Sequence, residues 1–148
     1  MKINLLVEDK YRVVDNKKFD GIIRRTLELL NIGKDVTVDL AIVNDNEIRK
    51  YNKAYRSIDK ATDVLSFPFW KKQRKDSFVV PDQKKKIIGQ IIISYPRAVI
   101  QAKEKKLPVS RELTILFIHG LLHLLGHDHK KPKQKEMMIS LEKQILKN

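Results

Sequence analysis

The sequence predicts an α+β fold, a single domain over residues 1–148 in which a sheet of about four strands packs with about five helices. The length of 148 residues suits one domain and is enough to bury a real core. Segments with helical spacing and segments with strand patterns follow one another without strict alternation, and no internal repeat is visible. These observations together favour one domain of packed helices and strands over a helical bundle or a repeat protein.

Four segments have strand patterns. Residues 87–94 form a continuous apolar, β-branched run, which is the clearest strand of the sequence. Residues 36–42 alternate between apolar and other side chains, as a strand does when one face is buried. The two shorter strands are predicted over residues 3–7 and 63–67, and Pro68 ends the second.

Five segments have helical patterns. Residues 19–30 place apolar side chains at helical spacing. Asn44 or Asp45 can cap a short helix that reaches about Tyr51. The remaining helices are predicted from Pro96 to before Pro108, from a cap at Ser110 to a stop at Gly126, and over residues 133–146.

The composition indicates a cytoplasmic protein with an anionic partner. The chain has no cysteine, so disulfides and thiolate ligands are excluded, and a metal would need nitrogen or oxygen ligands. No signal peptide or membrane-spanning run is visible, which predicts the cytoplasm and no membrane partner. The net charge of +13 is concentrated in residues 70–86 and 130–148, with seven and six basic residues against two acidic ones in each. This clustering favours nucleic acid, and a solvated lysine-rich surface is the alternative.

All four histidines fall within the eleven residues from His119 to His129. His119 and His123 are four residues apart on a predicted helix, so they share one face. Because this helix is apolar nearly all round and therefore buried, each imidazole needs a partner for its polar nitrogens. A metal ion would satisfy both, and the turn at Gly126 allows His129 to become a third ligand. Three protein ligands leave a position open for water, as in catalytic sites, and the metal would lower the pKa of that water. The sequence therefore predicts a metal cleft at the end of a buried helix.

The residue types between His119 and His129 indicate which metal and which reaction to expect. Zinc is the default for three imidazoles, one ion per chain, although nickel or copper would also suit them. Asp128 is predicted to orient a ligand histidine, and His127 is the weakest candidate because it lies on the turn. The H-x-x-x-H-x-x-G-x-x-H spacing matches a metzincin, but Gly120 occupies the position of the glutamate that acts as general base in those proteases. Peptide hydrolysis by that mechanism is therefore disfavoured.

The stretch from His119 to His129 resembles the H-G-x-L-H-L-x-G-H/Y-D-H signature of the YbeY-type endoribonucleases, also called rRNA maturation factors. A second block, from Asn52 to Pro68, resembles the N-x-x-Y-R-x-x-D-x-x-T-D-V-L-S-F-P motif of the same family. The strand from Gly89 to Ser94 also agrees, and Met138 and Glu142 fall where the last helix of the family has its Met and Glu. The resemblance covers nearly the whole chain.

The resemblance implies a mixed sheet with the metal site in a cleft beside it. It implies a single-strand-specific, zinc-dependent endoribonuclease that acts in 16S rRNA 3′-end maturation and ribosome quality control. The implied metal ligands are His119, His123 and His129, and Arg56 would contact phosphate in the cleft. The implied partners are RNA, the ribosome or its small subunit, and ribosomal proteins, with no DNA expected.

Two alternatives to this function stay open. The protein could be a non-catalytic ribosome-maturation factor whose zinc is structural, or a metal-dependent hydrolase of another substrate. Arg56, whose planar guanidinium suits phosphate, could instead form a surface salt bridge with Asp59 or Asp63.

Other residues could contact the substrate. Ser66 could bind it or simply end its strand, and Asp63 could be a site residue or cap a turn. Phe69 and Trp70 could stack bases or could pack in the core or a lid. The basic residues predicted to bind the substrate are Lys71, Lys72 and Arg74.

Overall fold

The four strands form one mixed sheet in the computed structural model, which describes residues 2–7, 16–32, 37–69, 87–127 and 131–147. The strands are β1 (Lys2–Val7), β2 (Thr37–Val43), β3 (Val64–Pro68) and β4 (Ile87–Ser94). Their order in the sheet is β1-β2-β4-β3, with β1, β2 and β4 parallel and β3 antiparallel to β4. The prediction of a mixed sheet of about four strands is therefore confirmed, and β3 lies at one edge.

Five helices lie within the described residues, as the sequence predicts. They are α1 (Asn16–Leu29), α2 (Asp45–Arg56), α3 (Tyr95–Lys105), α4 (Val109–Leu124) and α5 (Pro132–Leu146). The predicted cap of α2 is Asn44, whose side chain accepts from the backbone N–H of Glu47 at 2.9 Å. None of these helices is both long and apolar enough to cross a membrane.

Two predicted helix ends were wrong. Helix α2 continues past Tyr51 to Arg56, and buried Asn52 ties the following chain to the helix by donating to the carbonyl oxygen of Lys60 at 2.9 Å. Helix α4 begins at Val109, so the cap is not Ser110. Pro108 holds the capping position in an extended conformation, which a proline adopts readily before a first turn.

The sheet separates two apolar cores of different size. Alternate residues of β4 face opposite sides: Ile91 and Ile93 join the larger core, and Ile92 joins the smaller one. The larger core contains the apolar faces of α1, α4 and α5. The smaller core lies on the other face, where Ile48 of α2 packs near Leu65 of β3.

Two glycines allow α4 to lie close to the sheet. A Cβ atom at Gly120 of α4 would stand 2.9 Å from Ile91 Cγ2 and 3.1 Å from Ser66 Oγ. A Cβ atom at Gly89 of β4 would stand 2.6 Å from Leu124 Cδ2. Because both distances to carbon are shorter than van der Waals contact, a larger residue at either position would force its neighbours to shift. The two glycines therefore help to set the distance between the sheet and α4, which carries the histidines.

Candidate active site

The two histidines of α4 converge on each other. His119 and His123 project from the same face of the helix, with ring centroids 4.6 Å apart and their Nε2 atoms 3.2 Å apart. Both side chains are half-buried, whereas their neighbours Ile118, Gly120 and Leu122 are buried. The imidazoles thus lie at the boundary between the core and solvent, which is a suitable position for a site that a substrate must reach.

The last helix supplies a partner for the first histidine. Glu142 of α5 places Oε1 3.1 Å from Nδ1 of His119. A neutral His119 that donates its Nδ1 proton to this carboxylate would present the lone pair of Nε2 towards His123. In metal sites, a carboxylate that accepts the proton of one ring nitrogen orients the histidine that binds the metal through the other. Sequence reasoning matched Glu142 to a family position but assigned no role to it, because the two residues are 23 positions apart.

The geometry of the histidine pair fits a metal ion. Two lone pairs facing each other at 3.2 Å repel unless a proton or a cation lies between them. Two nitrogen ligands of a tetrahedral zinc ion, each about 2.0–2.1 Å from the metal, are separated by roughly 3.3 Å. The observed separation of the Nε2 atoms is close to that value. A proton on Nε2 of His123 is the other arrangement that would satisfy the contact.

The third predicted ligand lies outside the described residues, as does Asp128. Within the described part of the chain, no group of three or more His, Cys, Asp or Glu side chains could hold a metal ion. The roles of His129 and Asp128 therefore stay predictions. The basic residues predicted to bind substrate, namely Lys71, Lys72 and Arg74, also lie outside the described residues.

Helix α4 ends in a glycine turn shortly after His123. Gly126 has a φ of 94°, a conformation that L side chains rarely adopt, and its N–H donates to the carbonyl oxygen of His123 at 3.0 Å. The N–H of His127 donates to the carbonyl oxygen of Leu122 at 2.9 Å, which completes a Schellman motif. The predicted helix stop is confirmed. Burial lowers the pKa of the half-buried His127 below its usual value, so the neutral imidazole is favoured there.

A glutamate in place of Gly120, where a zincin has its general base, would have to displace the neighbouring side chains. The glycine faces β4, where even a Cβ atom would press on Ile91. A carboxylate at this position would point into the sheet and away from the histidines, because α4 presents that face to the core. The absence of a general base after His119 therefore has a packing reason.

Arg56 is the last residue of α2 and is exposed. The alternative of a salt bridge is not supported, because Asp59 bonds to Arg49 at 2.7 Å and Asp63 is also engaged. The hydrogen bond from Arg49 holds the pKa of the Asp59 carboxyl below its usual range. No ion pair of Arg56 occurs among the described residues. The role of Arg56 in binding phosphate therefore stays a prediction.

Asp63 and Ser66 both make structural bonds. Asp63 Oδ1 accepts from the backbone N–H of Val64 at 2.7 Å, and Oδ2 accepts from the side chain of Gln101 at 3.1 Å. The Ser66 hydroxyl donates to the carbonyl oxygen of Gly120 at 3.0 Å, which ties β3 to the turn of α4 that carries His119. These contacts support a local capping role for Asp63. The substrate-binding role of Ser66 stays a prediction.

Known proteins agree with the motifs of this site. The Endoribonuclease YbeY family matches residues 5–148. The chain belongs to this family. Two relatives named Endoribonuclease YbeY illustrate the similarity. The one from Mycoplasmopsis pulmonis is 39% identical over 145 residues, which are 97% of this chain and 93% of the relative. The one from Persephonella marina is 38% identical over 138 residues, which are 93% and 85% of the two chains.

A solved structure agrees with the fold of this YbeY family member. The solution structure of a Thermotoga maritima protein matches with a TM-score of 0.61 and 26% identity, over 98% of this chain and 87% of that chain. The predicted fold class is confirmed, and family membership identifies the chain as an endoribonuclease, which confirms the prediction of a hydrolase.

Proposed function

We propose that this YbeY family member is a zinc-dependent endoribonuclease that cleaves single-stranded RNA, with one zinc ion held by His119, His123 and His129. The observation that carries the proposal is the 3.2 Å separation of the two Nε2 atoms, combined with the carboxylate that orients His119. The donor set of three imidazoles suits zinc, and nickel or copper would fit the same nitrogens. When bound, the metal supplies a Lewis acid that activates water and polarises the phosphodiester.

The side chains of the protein have distinct tasks in this proposal. Glu142 accepts the Nδ1 proton of His119, so that Nε2 is the atom that would bind the metal. Arg56 is exposed, and its guanidinium would bind a phosphate oxygen and stabilise the negative charge that develops during cleavage. The hydrogen bond from Ser66 to the carbonyl oxygen of Gly120 holds the turn of α4 that carries His119 against β3.

The biological substrate in this proposal is ribosomal RNA. The motifs favour a role in 16S rRNA 3′-end maturation and ribosome quality control, with the small subunit and ribosomal proteins as partners. The net charge of +13 supports a polyanionic substrate. We expect the protein to work in the cytoplasm, with neither DNA nor a membrane as partner.

Cleavage of a single-stranded rRNA fragment by metal-analysed protein tests the proposal. We expect wild type to cut and His123→Ala to lose both metal and cutting. Arg56→Ala should keep the metal but cut about 100- to 1,000-fold more slowly, as when one donor to a developing oxyanion is removed. Lys50→Ala is the matched control, because Lys50 is an exposed cation of the same helix that forms a surface ion pair with Glu47 at 3.4 Å.

Each alternative function predicts a different result in that experiment. If all four proteins cut equally, the activity is contamination, and a metal-stabilised ribosome-binding factor is the better description. If none cuts RNA although wild type holds metal, a structural metal or another substrate is favoured.

A further inference from the structure

The smaller core ends in an exposed aromatic cluster, which we define as Tyr51, Tyr55 and Phe67. Tyr55 is 70% exposed, the largest exposed fraction among the large hydrophobic side chains that the structure describes. This exposed ring contacts two other aromatic rings, so the three together form a surface on which a flat ligand could stack. The cluster lies on the face of the sheet opposite α4, apart from the histidines.

The exposed ring of Tyr55 is supported from behind. Its centroid lies 5.0 Å from that of Phe67 and 6.4 Å from that of Tyr51, and the two tyrosine rings are within 10° of parallel. Tyr51 and Phe67 are themselves packed against the smaller core. Because the supporting rings are anchored, little conformational entropy would be lost when a flat ligand covers Tyr55.

The charge around the aromatic cluster is positive. Residues 49–60 carry five basic side chains and one acidic side chain. The single carboxylate, Asp59, is already bonded to Arg49 at 2.7 Å. Lys53, Arg56 and Lys60 are exposed and lie within five residues of Tyr55 in the chain. An aromatic platform with a basic rim is the combination that binds single-stranded nucleic acid, since bases stack on the ring and phosphates meet the cations.

Strand β3 connects the aromatic cluster to the histidine helix. Phe67 faces the smaller core, while its neighbour Ser66 faces α4 and donates to Gly120, next to His119. Because β3 is an edge strand of the described sheet, a polynucleotide that crosses this edge could contact both faces. Arg56 follows Tyr55 directly in the chain, so a stacked base and a bound phosphate would lie close together along the same strand of RNA.

We propose that Tyr55 stacks on a base of single-stranded RNA, with Phe67 and Tyr51 as its rigid support and Arg56 on a neighbouring phosphate. The inference rests on the proposed function, which it deepens by giving a physical basis for single-strand preference. The bases of a duplex are covered by their neighbours, whereas the bases of a single strand can leave the stack and lie on an exposed ring.

Binding of fluorescently labelled RNA, measured by anisotropy, tests the stacking role. Tyr55→Leu keeps an apolar contact with Phe67 but removes the π-face, and we expect it to bind a single-stranded oligonucleotide about 5- to 150-fold more weakly. Tyr55→Trp should bind as tightly as wild type. Ile100→Ala is the matched control, because Ile100 is 50% exposed on α3, away from the cluster. Thermal unfolding of each variant establishes that it is folded.

An abasic oligonucleotide of the same length separates stacking from charge. Wild type and Tyr55→Leu should bind it equally, because no base is present. The inference is overturned if Tyr55→Leu binds ordinary RNA as tightly as wild type, as it would if Tyr55 served a protein partner. It is also overturned if the variant loses abasic and ordinary RNA to the same extent, as it would if Tyr55 served the fold. Because binding is measured without cleavage, a protein that shows the Tyr55 effect but never cuts RNA would refute the proposed function alone.

Discussion

Glu142 on α5 lies 3.1 Å from Nδ1 of His119 on α4, so the last helix of the described chain orients the first histidine of the candidate metal site. The same imidazole presents Nε2 to His123 at 3.2 Å. The site therefore depends on the packing of two helices as well as on the spacing of residues along one.

Removing the carboxylate of Glu142 should weaken metal binding. Glu142→Ala leaves the Nδ1 proton of His119 without its acceptor, and loss of such a partner typically costs about 10- to 100-fold in metal affinity. Glu142→Gln should lose less, because the amide oxygen can still accept. Zinc affinity measured in competition with a chelating dye gives the comparison.

The control for Glu142 is on the same helix. Glu136→Ala removes an exposed carboxylate of α5 and should leave zinc affinity unchanged. Equal affinities for wild type and Glu142→Ala would show that the carboxylate does not orient a metal ligand.

A methyl group at Gly120 should destabilise the fold. Its Cβ would stand 2.9 Å from Ile91 Cγ2, and overpacking of this kind costs about 1–3 kcal/mol. Gly21→Ala in α1 is the matched substitution, because nothing lies within 4 Å of a Cβ there, and the gain in helix propensity should stabilise by up to about 1 kcal/mol. Denaturant unfolding measures both changes, and a Gly120→Ala protein as stable as Gly21→Ala would contradict the close packing of α4.

Ser66 allows its structural and substrate-binding roles to be separated. Ser66→Ala removes the hydrogen bond to the carbonyl of Gly120 and should lower the free energy of unfolding by about 1 kcal/mol. If that is its whole role, KM for RNA stays unchanged, whereas a rise in KM without a change in stability would show contact with the substrate. Ser140→Ala, on the exposed face of α5, is the control.

The strong local signals of the sequence predicted most of the fold. The β-branched run at Ile87–Ser94, the Asn44 cap and the glycine stop at Gly126 all appear where their chemistry places them. The end of α2 could not be predicted, because the chain leaves the helix through Ser57 in a left-handed conformation, where a glycine would have given a signal.

Only the part of the candidate site that lies within one helix could be predicted from the sequence. The spacing of His119 and His123 is a property of one helix, and four residues bring them to one face. Glu142 could not be assigned from pattern, because its contact with His119 depends on how α5 packs against α4. The aromatic cluster is non-local in the same way, since Tyr55 of α2 meets Phe67 of β3 only in the folded sheet.

The metal content of single-histidine variants is the decisive test of the three-histidine site. We expect about one zinc ion per chain for wild type, and its loss in His119→Ala, His123→Ala and His129→Ala. His127→Ala should retain the metal, since only the backbone N–H of His127 is needed for the turn after α4. Retention of a full complement of zinc by His123→Ala, or its loss in His127→Ala with retention in His129→Ala, would contradict the three-histidine site.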